Sequence, residues 1–144
     1  MLRTEIIAIA LGVTLTANVR AACPVSECNY ADPQWGALEK TWSACVLEIT
    51  GRTTQALASL GVKYPKFGSA YRAMNDETAH ALHADGTSDQ AVEDAAKRRF
   101  EDRIFRTAEP EAVEQYKLVM LQLKEHPIEG QCGKAPEPPR KKRQ

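Results

Sequence analysis

Two histidines stand three residues apart in DETAHALHADG, residues 76–86, among acidic side chains. On a helix, residues three and four apart share a face. Glu77, His80 and His83 could therefore offer a carboxylate and two imidazoles to one divalent cation. Glu-x-x-His is also half of the carboxylate-bridged di-iron pattern, which needs a second copy and two further glutamates. The second copy is missing, because the only other histidine, His126, directly follows Glu125. Met74, Ala81 and Leu82 fall on another side of the same helix, so the blander reading, a solvated polar face, is preferred. No cofactor is implied.

Other catalytic signatures are absent. No Gly-x-Ser-x-Gly elbow and no phosphate-cradling glycine loop occurs. The expectation is a protein that is not an enzyme, with a metal-dependent enzyme on Glu77, His80 and His83 as the least favoured alternative.

The four cysteines are Cys23, Cys28, Cys45 and Cys132. They form no Cys-x-x-Cys pair of the kind that soft tetrahedral zinc sites use. Upstream, the chain opens with Arg3 and an apolar run from Ile6 to Ala17. That run is shorter than the ~20 residues that span a bilayer. Length, order and the small residues after it fit a secretory signal peptide over 1–21, leaving a mature chain from Ala22. Lipidation of Cys23 is an alternative, but Arg20 occupies the place where a lipoprotein signal wants an aliphatic residue. A secreted or periplasmic chain oxidises its thiols, so two disulfides are expected. Three pairings are open; in an antiparallel bundle Cys23, Cys28 and Cys132 gather at one end with Cys45 farther along the first helix, so one flanking segment must run back to it, and Cys28–Cys45 with Cys23–Cys132 is favoured.

Helical periodicity must position all of this. Asp32 and Pro33 read as cap and first residue of a helix with Trp35, Leu38, Trp42, Cys45, Ile49, Thr53, Ala56 and Leu60 on one stripe, ended by Gly61. Phe67, Ala70, Tyr71, Met74, Thr78, Ala81 and Leu82 mark a second helix, closed by Gly86. Thr87 with Gln90 suggests a capping box for a third, which carries Val92, Ala95, Ala96, Phe100, Ile104 and Phe105. A fourth starts at Glu109–Pro110, carries Val113, Tyr116, Leu118, Val119, Met120, Leu121 and Leu123, and stops at Pro127. The fold class expected is all-α: a small antiparallel bundle of about four helices over 22–133, stapled by two disulfides. Residues 134–144, rich in Pro, Lys and Arg, read as a disordered basic tail.

Charge is divided between these parts. Residues 22–133 hold 12 basic and 17 acidic side chains, and the tail holds five basic and one acidic. A net-negative domain argues against nucleic acid as its partner. The tail residues Arg140, Lys141, Lys142 and Arg143 could meet an anionic membrane or cell-wall surface. Trp35 and Trp42, seven apart on one face, read first as core and second as a groove for a partner or apolar ligand. The functional expectation is an exported helical protein that binds a protein partner, as an accessory or inhibitory component of a surface, secretion or conjugative-transfer apparatus. The alternative is a carrier of a small apolar ligand in the bundle interior.

Overall fold

The computed structural model describes residues 23–81, 83 and 89–143. Residues 1–21, expected to be a signal peptide, and the loop carrying Leu82, Asp85, Gly86 and Thr87 lie outside the described residues. Helix makes up 74% of what is described and no strand occurs there, so the all-α reading holds at that level. Five helices form among the described residues: α1, Pro33–Lys63; α2, Pro65–Ala79; α3, Gln90–Thr107; α4, Pro110–Glu125; and the single turn α5, Ile128–Cys132. The last was not foreseen. It begins directly after Pro127, which ends α4 as expected, and Gly133 closes it at φ 77°.

Local chemistry explains the boundaries. Asp32 accepts from the Trp35 N–H at 2.8 Å and Pro33 stands at the first helical position, as the sequence suggests. For α3 the cap is Asp89, which accepts from Ala91 N–H at 3.1 Å and Val92 N–H at 3.4 Å. The capping role expected of Thr87 therefore belongs to Asp89, because α3 begins at Gln90. Gly61 is not a C-cap either. It lies inside α1, which continues to Lys63, and Val62 is exposed rather than folded back on the helix.

The core is built from Leu57 of α1; Phe67, Ala70, Tyr71 and Met74 of α2; Ala96, Phe100 and Ile104 of α3; and Ala112 and Tyr116 of α4. Its centre is aromatic. Phe100 meets Phe67 and Tyr116 edge-on, with ring centroids 5.6 and 5.3 Å apart. Such pairs add about 0.5–1.5 kcal/mol each beyond their buried area. α2 packs against α1 and α3, while α4 and α5 return to α1. At about 46 Å, α1 is far longer than the helices it packs on. Its first buried residue is Val46, so the stretch carrying Trp35, Leu38 and Trp42 lies off the shared core.

α2 takes its N-terminal cap from another helix boundary. Tyr64 supplies no side-chain cap. Instead the Glu109 carboxylate accepts from the Lys66 N–H at 3.1 Å and the Phe67 N–H at 3.0 Å. Partial desolvation pushes the Glu109 carboxyl up, but these backbone bonds and the Lys66 charge outweigh it and hold the group below its ordinary 4.5. A carboxyl depressed in the folded chain stabilises above its unfolded pKa, and that stability is lost as pH falls through the folded value. Glu109→Gln should therefore lower the melting temperature at pH 7 and flatten its fall below about pH 4.5. Melts at pH 7 and pH 3 check this; parallel acid limbs for both proteins would refute it.

Two disulfides form, but neither is the expected one. The bridges are Cys23–Cys28 and Cys45–Cys132, with Cα atoms 6.1 and 5.7 Å apart. The sequence argument left Cys132 at the base of the bundle. α5 instead carries it back along α1 to Cys45, leaving Cys23 and Cys28 to close on each other. Pairing of Cys23 also removes the lipidated alternative.

Candidate functional site

The polar face of α2 offers its groups separately. Glu77 pairs with the Arg99 guanidinium across the α2–α3 seam. His80 sits one residue past α2 as its C-cap and is exposed, as is His83. Among the described residues no cluster of three His, Cys, Asp or Glu side chains is arranged to hold a metal. Glu77 thus serves a surface ion pair between helices.

Two open grooves flank the core. One, of about 320 Å³, runs between α2 and α3 over Ala70 and Ala96, with Arg99, Arg103 and Arg106 on its rim. Arg103 donates to the Ser69 hydroxyl, and Arg106 donates to the carbonyl of Asp102. The other, of about 260 Å³, lies between α1 and α4, with Ile49, Val119 and Leu123 as apolar walls and Arg52 and His126 at the edge. Between them lie the buried rings of Phe67, Tyr71, Phe100 and Tyr116. Burial pushes the Tyr71 phenol up to about 12, offset in part by Asn75, and pushes Tyr116 higher still, with the Glu101 charge adding to it. Both stay neutral phenols near neutral pH, unfit as general bases there.

The tryptophans do something the sequence reading did not anticipate. Each is half-buried, and each uses its indole N–H to hold the chain's own C-terminal segment. Trp42 Nε1 donates to the Gly133 carbonyl at 3.0 Å, and Trp35 Nε1 donates to the Pro136 carbonyl at 3.0 Å. The chain then passes the N-terminal loop. Asn29 N–H donates to Pro139 O at 2.8 Å, Lys141 N–H donates to Glu27 O at 2.8 Å, and Cys28 bridges to Arg140. Pro138 is buried and Arg140 pairs with Glu27 at 3.5 Å. Tyr30 packs edge-on against Trp35 at 5.3 Å and donates its hydroxyl to Cys23 O. The expectation of a free tail is corrected here: residues 133–141 form a strap along the first turns of α1. Composition was a poor guide because the strap needs no core of its own. It borrows two indoles and a disulfide-closed loop. Of the four basic residues expected to meet an anionic surface, Arg140 is engaged by Glu27, while Lys141, Lys142 and Arg143 keep exposed side chains.

α4 buries only Ala112 and Tyr116 fully. Leu118 and Leu121 stand outward at 57% and 48% exposure. Three residues apart, they are neighbours on the helix surface. Glu114 and Glu125 lie on the same outer face, and Lys117 reaches over the half-exposed ring of Phe105 at 5.7 Å.

Among the described residues no helix is long and apolar enough to cross a membrane. Compared with known proteins, the chain matches no family model, and no curated protein and no solved structure is significantly similar to it. The class that fold and chemistry define is a disulfide-stapled, all-helical protein. Two bridges and no free cysteine among the described residues fit an oxidising compartment.

Proposed function

We propose that this is an exported, periplasmic or secreted protein that acts by binding a protein partner, as an accessory or inhibitory component of a surface, secretion or conjugative-transfer apparatus. The reading takes the four long helices as an antiparallel bundle that follows a cleaved signal peptide. The observation that carries the binding role is the outward leucine pair on α4. An apolar side chain left in water costs free energy that burial at an interface recovers, at roughly 25 cal/mol per Å². Here two such side chains sit opposite the buried Ala112–Tyr116 side of a helix, with Glu125 beside them and Glu114 paired to Lys117 at 3.5 Å. That arrangement suits a partner surface with an apolar pocket and a basic edge.

The test is a paired capture. The mature chain and a Leu118→Glu/Leu121→Glu variant are each immobilised and exposed to an envelope extract under non-reducing conditions. Unchanged melting is expected, since neither leucine is buried. A specific protein retained by the first and reduced at least tenfold on the second supports the proposal. Equal retention on both, or retention of nothing, refutes it.

A further inference from the structure

We infer that the Trp35–Trp42 face of α1 is a receptor for an extended, proline-rich segment followed by basic residues, occupied in this chain by its own strap and open to the same kind of segment from the protein partner. The inference rests on the partner-binding reading and names the chemistry of what is bound.

The argument begins with spacing. The strap carbonyls that accept from the domain are Gly133, Pro136 and Pro139, every third residue. Three residues per turn is the period of the polyproline II helix, which presents one edge at each third position. Its rise of about 3.1 Å per residue puts successive contact carbonyls roughly 9.3 Å apart. On the receptor side, seven residues of α-helix advance about 10.5 Å and return to nearly the same face. Two tryptophans seven apart are thus in step with one turn of an extended proline segment. The partners run antiparallel, since Trp42 takes the earlier carbonyl and Trp35 the later.

The segment's chemistry suits this geometry. Pro136, Pro138 and Pro139 have no N–H, so their carbonyls are the only backbone handles they offer, and each fixes φ without an entropic cost on binding. The residues before them are held extended by the same rings. Indole N–H donors over an aromatic-lined groove are how proline-rich segments are held in general. Tyr30 packed on Trp35 extends that groove to the N-terminal loop. Charge sets the direction: Glu27 meets Arg140 where the prolines end.

The occupant is displaceable. Its root is fixed by the Cys45–Cys132 bridge, and Gly133 in the left-handed region is the hinge beyond it. Past that hinge the strap is held by the Trp35 indole, by two backbone hydrogen bonds to the N-terminal loop, by the buried Pro138 and by an ion pair whose side chains are 81% and 55% exposed. Exposed pairs of this kind hold little. Tethering adds to these contacts an effective concentration in the millimolar range, as for a short linker. A partner segment must compete with that, so its apparent affinity is scaled down in proportion to the fraction of time the groove stands open.

The probe is a fluorescein-labelled peptide of the strap's own sequence, GKAPEPPRKKR, added to the full mature chain with both disulfides intact. A strap-loosened form, Pro136→Gly/Pro138→Gly/Arg140→Glu, keeps the domain unchanged and empties the groove; faster solvent exchange of the Trp35 indole proton reports the release. The peptide should bind the loosened form at least tenfold more tightly than the unaltered chain. Adding Trp35→Phe to the loosened form should cost at least another tenfold, and a peptide with its prolines replaced by alanine should fail to compete. Absence of saturable binding to the loosened form, equal affinity for both forms, indifference to Trp35→Phe, or equal competition by the alanine peptide each overturns the inference. Partner capture through Leu118 and Leu121 would survive any of those results, so the two readings fail separately.

Discussion

Replacing Cys45 and Cys132 together by alanine lowers the free energy of unfolding by about 4–5 kcal/mol, while replacing Cys23 and Cys28 costs only about 2 kcal/mol, by the loop-closure entropy each bridge removes from the unfolded chain. The contrast follows from loop length, a sequence separation of 87 against 5. The longer loop encloses most of α1 and all of α2, α3 and α4. Opening it restores freedom to nearly the whole unfolded domain, whereas opening the shorter one frees a single turn. Domains of this size are stable by about 5–15 kcal/mol in total, so the first variant loses a large part of that margin. It also releases the root of α5, so the Trp42–Gly133 hydrogen bond should weaken with it. Urea titrations of both variants under non-reducing conditions measure the difference. Equal losses would mean that folded-state contacts, and not loop closure, set the value of each bridge.

The failure to read this pairing from sequence has a physical source. Periodicity places residues on faces of helices, but it does not show that five residues after Pro127 form one more turn running back along α1. Where packing is two-sided the pattern was legible: Phe67, Ala70, Tyr71, Met74, Thr78 and Ala81 are all buried, as their spacing required. α1 was legible only in part. Ile49 and Thr53 are buried, but Leu38 is exposed and Val46, Thr50 and Leu57 carry the core in place of Ala56. The large tryptophans drew the expected stripe toward the strap side. That side is a second surface, wrapped by residues whose proline content suggested no packing at all. The polar face of α2 also resisted reading. The partner of Glu77 is Arg99, 22 residues away, and nothing local announces it. Glu109 capping α2 belongs to the same class, a tertiary contact between two elements whose separate signals were both correct.

The second large effect concerns a corner that no side-chain pattern marks. α1 ends at Lys63 and α2 begins at Pro65, so the chain turns within one residue, Tyr64. The two helices can start that close only because Gly61 and Gly68 meet without side chains. A Cβ placed on Gly68 would lie 2.3 Å from the Gly61 carbonyl oxygen and 2.9 Å from its carbon. Both are backbone atoms and cannot rotate aside. Gly68→Ala must therefore open the corner, lifting the neighbouring Phe67 from its place against Phe100 and Tyr116. Overpacking a well-filled site costs about 1–3 kcal/mol, and a backbone obstacle puts this change at or above the upper end, roughly 3 kcal/mol. Gly61→Ala meets the Gly68 Cα at 3.0 Å, a tighter than ordinary contact but a single one. Its cost should be smaller, because alanine also favours the helix by up to about 1 kcal/mol. Gly51, in the same helix, has nothing within 4 Å of its would-be Cβ. There the same substitution should stabilise, by about 0.5–1 kcal/mol, through helix propensity alone. One chemical change at three glycines thus predicts a large loss, a modest loss and a gain. Thermal melts of the three variants test the ordering, and a harmless Gly68→Ala would mean that α1 and α2 do not cross where the structure places them.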